Sequence, residues 1–271
     1  MKEKESIKKS LSDKLTPVLV LIVFLLVFGF GMLWQKVNQL EKAPAQTTTT
    51  GTQNNAQAPA AVAVTQDQIK KLFDKPNALK FGNENSKLLL VEVADPSCPY
   101  CSIAAGHNSE LNNQAGANFK LVKDGGTYVA PVIEMKKLVD SGKAAYIYIY
   151  TPGHGNGEMG TKALYCANEK GKFWPVHDLL MSSEGYDLLN NDVKNDKAKS
   201  QTLATFLKSA VDSNFMKSCL DSDKYAQTLT DDIAIASSLG VQGTPGFFVN
   251  TTNFAGAYSF KDMEAAVNSA L

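Results

Sequence analysis

Hydrophobic and polar positions fall into three regimes along the 271 residues. From Leu15 to Gln35 no residue is charged, and Val18 to Phe28 (VLVLIVFLLVF) is apolar on every side of a helix. At about 1.5 Å per residue a run of that length crosses a hydrocarbon core of roughly 30 Å. From Ala43 to Val64 the pattern dissolves into Ala, Pro, Thr, Gln and Asn (APAQTTTTGTQNNAQAPA), which offers too little apolar surface to bury. Beyond Thr65 the apolar positions recur at helical and strand periods. Thr65-Gln66-Asp67-Gln68 has the form of a capping box, Ile69, Leu72 and Phe73 mark one helical face, and Pro76 stops the helix. Leu88 to Ala94 (LLLVEVA) reads as a buried strand, and Pro99 favours the first turn of a helix directly after it. Phe119 to Lys123 reads as a short strand, Pro131 to Ser141 as a helix closed by Gly142, and Ala145 to Tyr150 as an alternating strand. From about Gly157 to Leu239 the pattern is helical, with Ala163-Cys166-Ala167 and Leu203-Phe206-Leu207-Ala210 as apolar faces. Phe247 to Val249 returns to a strand, and Ser259 is placed to cap a closing helix from about Phe260. The order is βαβ, a block of helices, then β and α, which predicts one α/β domain over 65–271 with a helical insertion at about 157–239.

Charge orients the apolar run. Lys2, Lys4, Lys8, Lys9 and Lys14 precede it, whereas only Lys36 and Lys42 follow closely. The positive-inside bias makes 1–15 a cytoplasmic segment, 16–35 a transmembrane signal anchor and 36–64 a flexible linker. The domain beyond is then extracytoplasmic, on a single-pass protein of the cell membrane. A cleaved signal peptide is the alternative, since Ala43-Pro44-Ala45 spells A-x-A, although far beyond the apolar run. Lys plus Arg and Asp plus Glu both total 27, so no basic excess points to nucleic acid.

The candidate chemistry lies in VEVADPSCPYCS, Val91 to Ser102. A cysteine at the start of a helix meets unpaired N–H groups and the positive end of the dipole, which favour the thiolate. Cys98 is therefore the attacking and attacked sulfur. Cys101, one turn on, resolves the mixed disulfide. A zinc half-site completed by other ligands, with only His107 nearby, and a purely structural disulfide are the other readings of a C-x-x-C. Glu92 has no ordinary place in a buried strand. Beneath the two cysteines it would accept and return the proton of Cys101, with its pKa raised by burial; on an edge strand it would simply face water. Phe173, Trp174 and His177 read as core of the helical block, and His154 lies in the loop PGHGNG. Asn250-Thr251-Thr252 fits a glycosylation sequon.

DPSCPYCS after an apolar strand with Glu92 six residues upstream, KGKFWPVHDLL, SCLDSDKYA and GVQGTPGFFVN occur in this order. Together they resemble the DsbA-like thioredoxin-fold family, in its membrane-anchored bacterial disulfide oxidoreductase branch, over roughly Asn85 to Leu271. The resemblance implies a thioredoxin fold with an inserted α-helical domain. It implies a cis Pro245 beside Cys98, where Thr244 and Pro245 present backbone to an extended substrate peptide. Pro99 and Tyr100 would set the helix entry and the potential on the substrate side. Cys166 and Cys219 resemble the family's second cysteine pair, as a structural disulfide or as two buried thiols. The implied activity is a thiol:disulfide oxidoreductase that introduces disulfides into exported proteins. No metal and no dissociable cofactor is expected, and a quinone-linked membrane partner would reoxidise the pair. An isomerase or reductase of the same fold, and a copper- or zinc-binding module using Cys98, Cys101 and His107, are the competing functions. Within Gly106 to Tyr128 the chain is longer than the family pattern by roughly twenty residues, directly after the active-site helix.

Overall fold

The computed structural model describes residues 63–271. The expected cytoplasmic segment, the signal anchor and all but the end of the linker lie outside the described residues. Among the described residues no helix is long and apolar enough to cross a membrane.

The domain opens on α1 (Gln66–Phe73). Its capping box forms as the sequence predicts: Thr65 Oγ1 accepts the Gln68 N–H at 3.3 Å, and Gln68 Oε1 accepts the Thr65 N–H at 2.8 Å. The sheet comprises β1 (Leu79–Gly82), β2 (Leu88–Ala94), β3 (Ala144–Tyr150), β4 (Gly246–Val249) and β5 (Thr252–Ala255), in the order β1-β3-β2-β4-β5. β2 pairs parallel to β3 and antiparallel to β4, so it is the central strand and both its faces are buried. That removes the edge-strand reading of Glu92. β1 and β5 were not legible in the sequence. Each is four residues long, and β5 is polar and largely exposed, as edge strands often are.

Two helical layers cover the sheet. Leu89, Val91 and Val93 face α1 together with Ala236 and Leu239, which lie in or just after α10 (Ala226–Ser238). Leu88, Leu90, Glu92 and Ala94 point the other way by strand alternation. On that side lie α2 (Pro99–Ala105), α4 (Pro131–Asp140), the rest of the helical block and α11 (Phe260–Ala270). The block comprises α5 (Glu158–Asn168), α6 (Phe173–Leu180), α7 (Ser183–Asp187), which runs into a π-helical turn at Leu188–Val193, α8 (Ser200–Phe206) and α9 (Ser213–Ser222). Cys166 of α5 and Cys219 of α9 are joined by a disulfide. α10 belongs to the same insertion yet crosses to the opposite face. Buried Asp232 fixes it there, accepting from Lys75 Nζ at 2.7 Å, Tyr165 Oη at 2.6 Å and the Tyr150 N–H at 3.3 Å.

One expected strand is not formed. Phe119 to Lys123 instead carries short 3-10 turns at Ala117–Phe119 and Val122–Asp124 around a single bridge, Leu121 to Tyr128. Phe119 and Leu121 alternate as strand residues would, but they pack onto Ile103, Tyr128 and Ala130 rather than onto the sheet. The buried Asn112 secures this after α3 (Ser109–Gln114): its Nδ2 donates to the carbonyls of Ile103 at 3.3 Å and Phe119 at 3.0 Å. The extra segment is thus strapped to the outer side of α2.

Candidate active site

β2 ends at Ala94, and the chain turns through Asp95 so that Cys98 becomes the N-cap of α2 with Pro99 at its first position. Both thiols are free. Cys98 is 5 % exposed and Cys101 is fully buried. The Thr244–Pro245 peptide bond is cis, as the resemblance implied, and the Cys98 thiol donates to the Thr244 carbonyl at 3.4 Å. Thr244 Oγ1 is buried with no protein partner.

The two sulfurs are driven apart in acidity. Hydrogen bonding from the Cys101 thiol is the largest cause lowering Cys98, to about 6. Burial opposes it, while Thr244 and the N–H groups of Cys101 and Tyr100, at the start of α2, add to it. Cys101 moves the other way, first through burial, then because it would have to ionise beside the Cys98 thiolate. The Asp95 N–H donates to its sulfur at 3.5 Å. At neutral pH this leaves one thiolate and one thiol.

Glu92 is completely buried on the face of β2 that carries Leu90 and Ala94, the face covered by α2. Tyr146, from β3, donates its hydroxyl to Glu92 Oε2, while Oε1 has no protein partner. Burial pushes this carboxyl up, against the opposing pull of His177 and of the Tyr146 hydrogen bond. A carboxyl so placed accepts a proton at neutral pH more readily than an ordinary one.

A further element, which sequence reasoning missed, closes the site. Asp95 is fully buried. Its Oδ2 accepts from the N–H groups of Gly153 at 2.7 Å and His154 at 3.0 Å, and its Oδ1 from the N–H and hydroxyl of Ser97. The loop after β3 is thereby held against Cys98. A Cβ on Gly153 would lie 1.8 Å from Thr244 Oγ1 and 3.3 Å from Cys98 Cβ, so only glycine fits. His154 contributes its backbone N–H and is itself exposed. The signal was present in DPSC and PGHG, but nothing in the sequence said that they meet.

Beside the sulfur runs an apolar groove of about 380 Å³ lined by Tyr100, Phe119, Thr244, Ala255, Gly256, Ala257 and Tyr258. Tyr100 and Tyr258 are exposed, at 49 % and 45 %, and the Tyr100 and Phe119 rings lie 5.7 Å apart. Phe119 brings the extra segment to the site. Pro99 is half-buried.

His107 is not brought to the cysteines as a ligand. Its Nε2 lies 3.1 Å from Asp178 Oδ1, and Cys98, Cys101 and His107 form no ligand cluster. The metal-like cluster among the described residues is Cys166, Glu169 and Cys219, two of which are already bonded to each other. Phe173 and His177 are buried in the core with Trp174 packed against them, as predicted.

Residues 132–269, just over half of the chain, match the family model described as thioredoxin. The chain belongs to the thioredoxin family. Among solved structures, this thioredoxin-family chain is similar to oxidised BdbD from Bacillus subtilis, at 16% identity and a TM-score of 0.52 over 72% of this chain and 92% of that one. It is similar to a thioredoxin-like oxidoreductase from Silicibacter pomeroyi, at 22% and 0.52 over 76% and 98%. For the thiol-disulfide exchange protein alpha-DsbA2 from Wolbachia pipientis the values are 20% and 0.54 over 76% and 95%. The fold is therefore that of the DsbA-like proteins. By sequence the chain is 26% identical over 193 residues to the Na(+)/H(+) antiporter NhaA 3 of Salinispora tropica, covering 70% of this chain and 24% of that protein. The chain spans about a quarter of the length of the curated relatives it matches.

Proposed function

We propose that this chain is a thiol:disulfide oxidoreductase that introduces disulfides into exported proteins, tethered to the cell membrane by its N-terminal apolar run. One observation carries the reading: the Cys98 thiol is depressed to about 6 while its partner Cys101, one helical turn away, stays a thiol. A stabilised thiolate favours the reduced pair, and hence makes the disulfide a stronger oxidant. The structural relatives, a thioredoxin-like oxidoreductase and a thiol-disulfide exchange protein among them, support the same class.

In the reaction a substrate thiolate attacks the Cys98 sulfur of the Cys98–Cys101 disulfide. Cys101 leaves and takes up the proton held by Glu92. A second substrate thiolate then attacks the substrate sulfur of the mixed disulfide, Cys98 leaves as a thiolate, and the substrate carries the new disulfide. Thr244 and Pro245 hold the peptide by its backbone, and the groove of Tyr100, Phe119 and Tyr258 favours an apolar residue beside the reacting cysteine. A membrane partner that passes electrons to a quinone completes the cycle by reoxidation.

The test is the reduction potential of the pair, by equilibrating the full chain with glutathione buffers. A value near about −120 mV marks a disulfide donor. One near about −270 mV would reverse the direction and favour the reductase or isomerase reading.

A further inference from the structure

The proton held by Glu92 needs a way out, because Glu92 and Cys101 are both fully buried and Cys98 nearly so. The surroundings of Glu92 supply one. Three buried polar atoms there have no protein partner: Glu92 Oε1, Tyr148 Oη and His177 Nε2. Tyr148 stands beside Glu92 in the register of β2 and β3, on the same face. Phe173 links that side chain to the histidine, its ring centroid 5.8 Å from Tyr148 and 5.7 Å from His177. The Trp174 ring lies 5.3 Å from Tyr146, whose hydroxyl is on Glu92, and 5.6 Å from His177. His177 acts on the Glu92 carboxyl through its charge, and buried polar atoms without a protein partner are where ordered water is held.

From His177 the chain of polar atoms continues outward. His177 Nδ1 is 3.1 Å from Asp178 Oδ1, and the same oxygen is 3.1 Å from His107 Nε2. The side chains of Asp178 and His107 are 40 % and 33 % exposed, against none for His177. Burial works to raise the Asp178 carboxyl, but the hydrogen bonds of His107 and His177 hold it well below the usual carboxylate range, so it stands as an anion between two imidazoles. The titratable groups about His177 are Glu92 from β2, Asp178 on its own helix and His107 from the turn after α2, with Tyr146, Tyr148 and Cys101 around Glu92.

We propose that His177, Asp178 and His107 form a proton relay between Glu92 and solvent, with one water joining Glu92 and Tyr148 to His177. When the pair is reoxidised, an oxidising disulfide first forms a mixed disulfide with Cys98; Cys101 then gives its proton to Glu92 and attacks the Cys98 sulfur, and the oxidant's other sulfur leaves as a thiolate. A proton enters His177 at Nε2, another leaves its Nδ1 to the Asp178 carboxylate, and from that partly exposed group one proton reaches solvent, while the His107 N–H holds the carboxylate in place. When a substrate is oxidised, Cys101 leaves as a thiolate and one proton returns by the same route. Each half-cycle thus restores the imidazole tautomers that the other exchanged, and no ring has to rotate in a packed core.

The relay rests on Cys98 and Cys101 being the redox pair, and the experiment separates the two claims. The reduced full chain is mixed with oxidised glutathione, and the resolution of the Cys98–glutathione mixed disulfide by Cys101 is followed by quenched flow. Alkylation of Cys98 across pH is followed alongside. His177→Gln, Asp178→Asn and His107→Ala are expected to slow resolution roughly tenfold or more, the scale of positioned proton transfer, while the alkylation profile stays that of the parent. Added imidazole restores the rate in His107→Ala, which a merely structural role would not permit. Resolution at the parental rate in the variants overturns the relay. So does a slowing that imidazole leaves untouched in His107→Ala, or one that alkylation shares. His107→Ala, on the partly exposed ring, decides the matter where His177→Gln does not fold. A parent chain that exchanges no disulfide with glutathione defeats the redox reading instead.

Discussion

Glu92 sits among Leu, Val and Ala on the central strand, and its burial carries a cost that pH switches. Its carboxyl is raised in the folded protein, so the native state keeps a proton that the unfolded chain loses. The cost is present above the ordinary carboxylate value and disappears as pH falls towards it. Glu92→Gln keeps the shape and removes the charge. It is expected to unfold at higher urea near about pH 8, by about 1–3 kcal/mol, and to match the parent near about pH 4. Equal gaps at both pH values would show that the carboxylate is not the source. A carboxylate in a buried strand was legible as an anomaly from LLLVEVA. The donor to it, Tyr146, was not, because only the register of β2 on β3 brings that hydroxyl across. His177 shows the same limit. It was correctly placed in the core, but its unpartnered Nε2 becomes visible only with its neighbours in place.

Elements were most readable where local chemistry and period agreed. The capping box of α1, the seven residues of β2 and the Pro131 start of α4 all lie where the pattern put them. Phe119 to Lys123 misleads because its apolar residues, spaced as in a strand, dock on α2 rather than pair with the sheet. β5 carries no pattern at all. Cys166 and Cys219 stand in separate helices and nothing local joins them; the family resemblance alone implied a bond. The bond ties α5 to α9 across a separation of 53 residues. Cys166→Ala with Cys219→Ala is expected to lower stability by up to about 4 kcal/mol in the chain-entropy view, measured as a fall in Tm. The glutathione potential of Cys98–Cys101 is expected to stay put. A shifted potential would mean that the two pairs communicate.

For the whole molecule, the depressed Cys98 thiol ties redox state to stability. Its lowering from 9.0 to about 6 means that the reduced protein is favoured over the oxidised one. That advantage is complete above the ordinary thiol value and is lost as pH falls through about 6. Across that window each pH unit adds up to about 1.4 kcal/mol to the reduced form. Tm measured for both forms is expected to diverge with rising pH; parallel curves would sink the assignment of the thiolate to the folded state. The fold class and its helical insertion were legible in the order of elements and motifs. The wrapping of α10 around the far face was not, since its Ala236 and Leu239 look like any other apolar positions.

The carbonyl of Thr244 that meets the Cys98 sulfur lies 146 residues further along the chain, on the segment that also supplies the second neighbour of β2. A ribosome therefore releases the reactive cysteine long before it makes the residues that enclose it. Until β4 arrives, the thiol stands on an unfinished sheet without the Thr244 segment over it, open to any oxidant it meets. The enclosure of the site is thus a property only of the finished polypeptide, and a chain cut short before Thr244 would carry CPYC with its local acidity but without its cover.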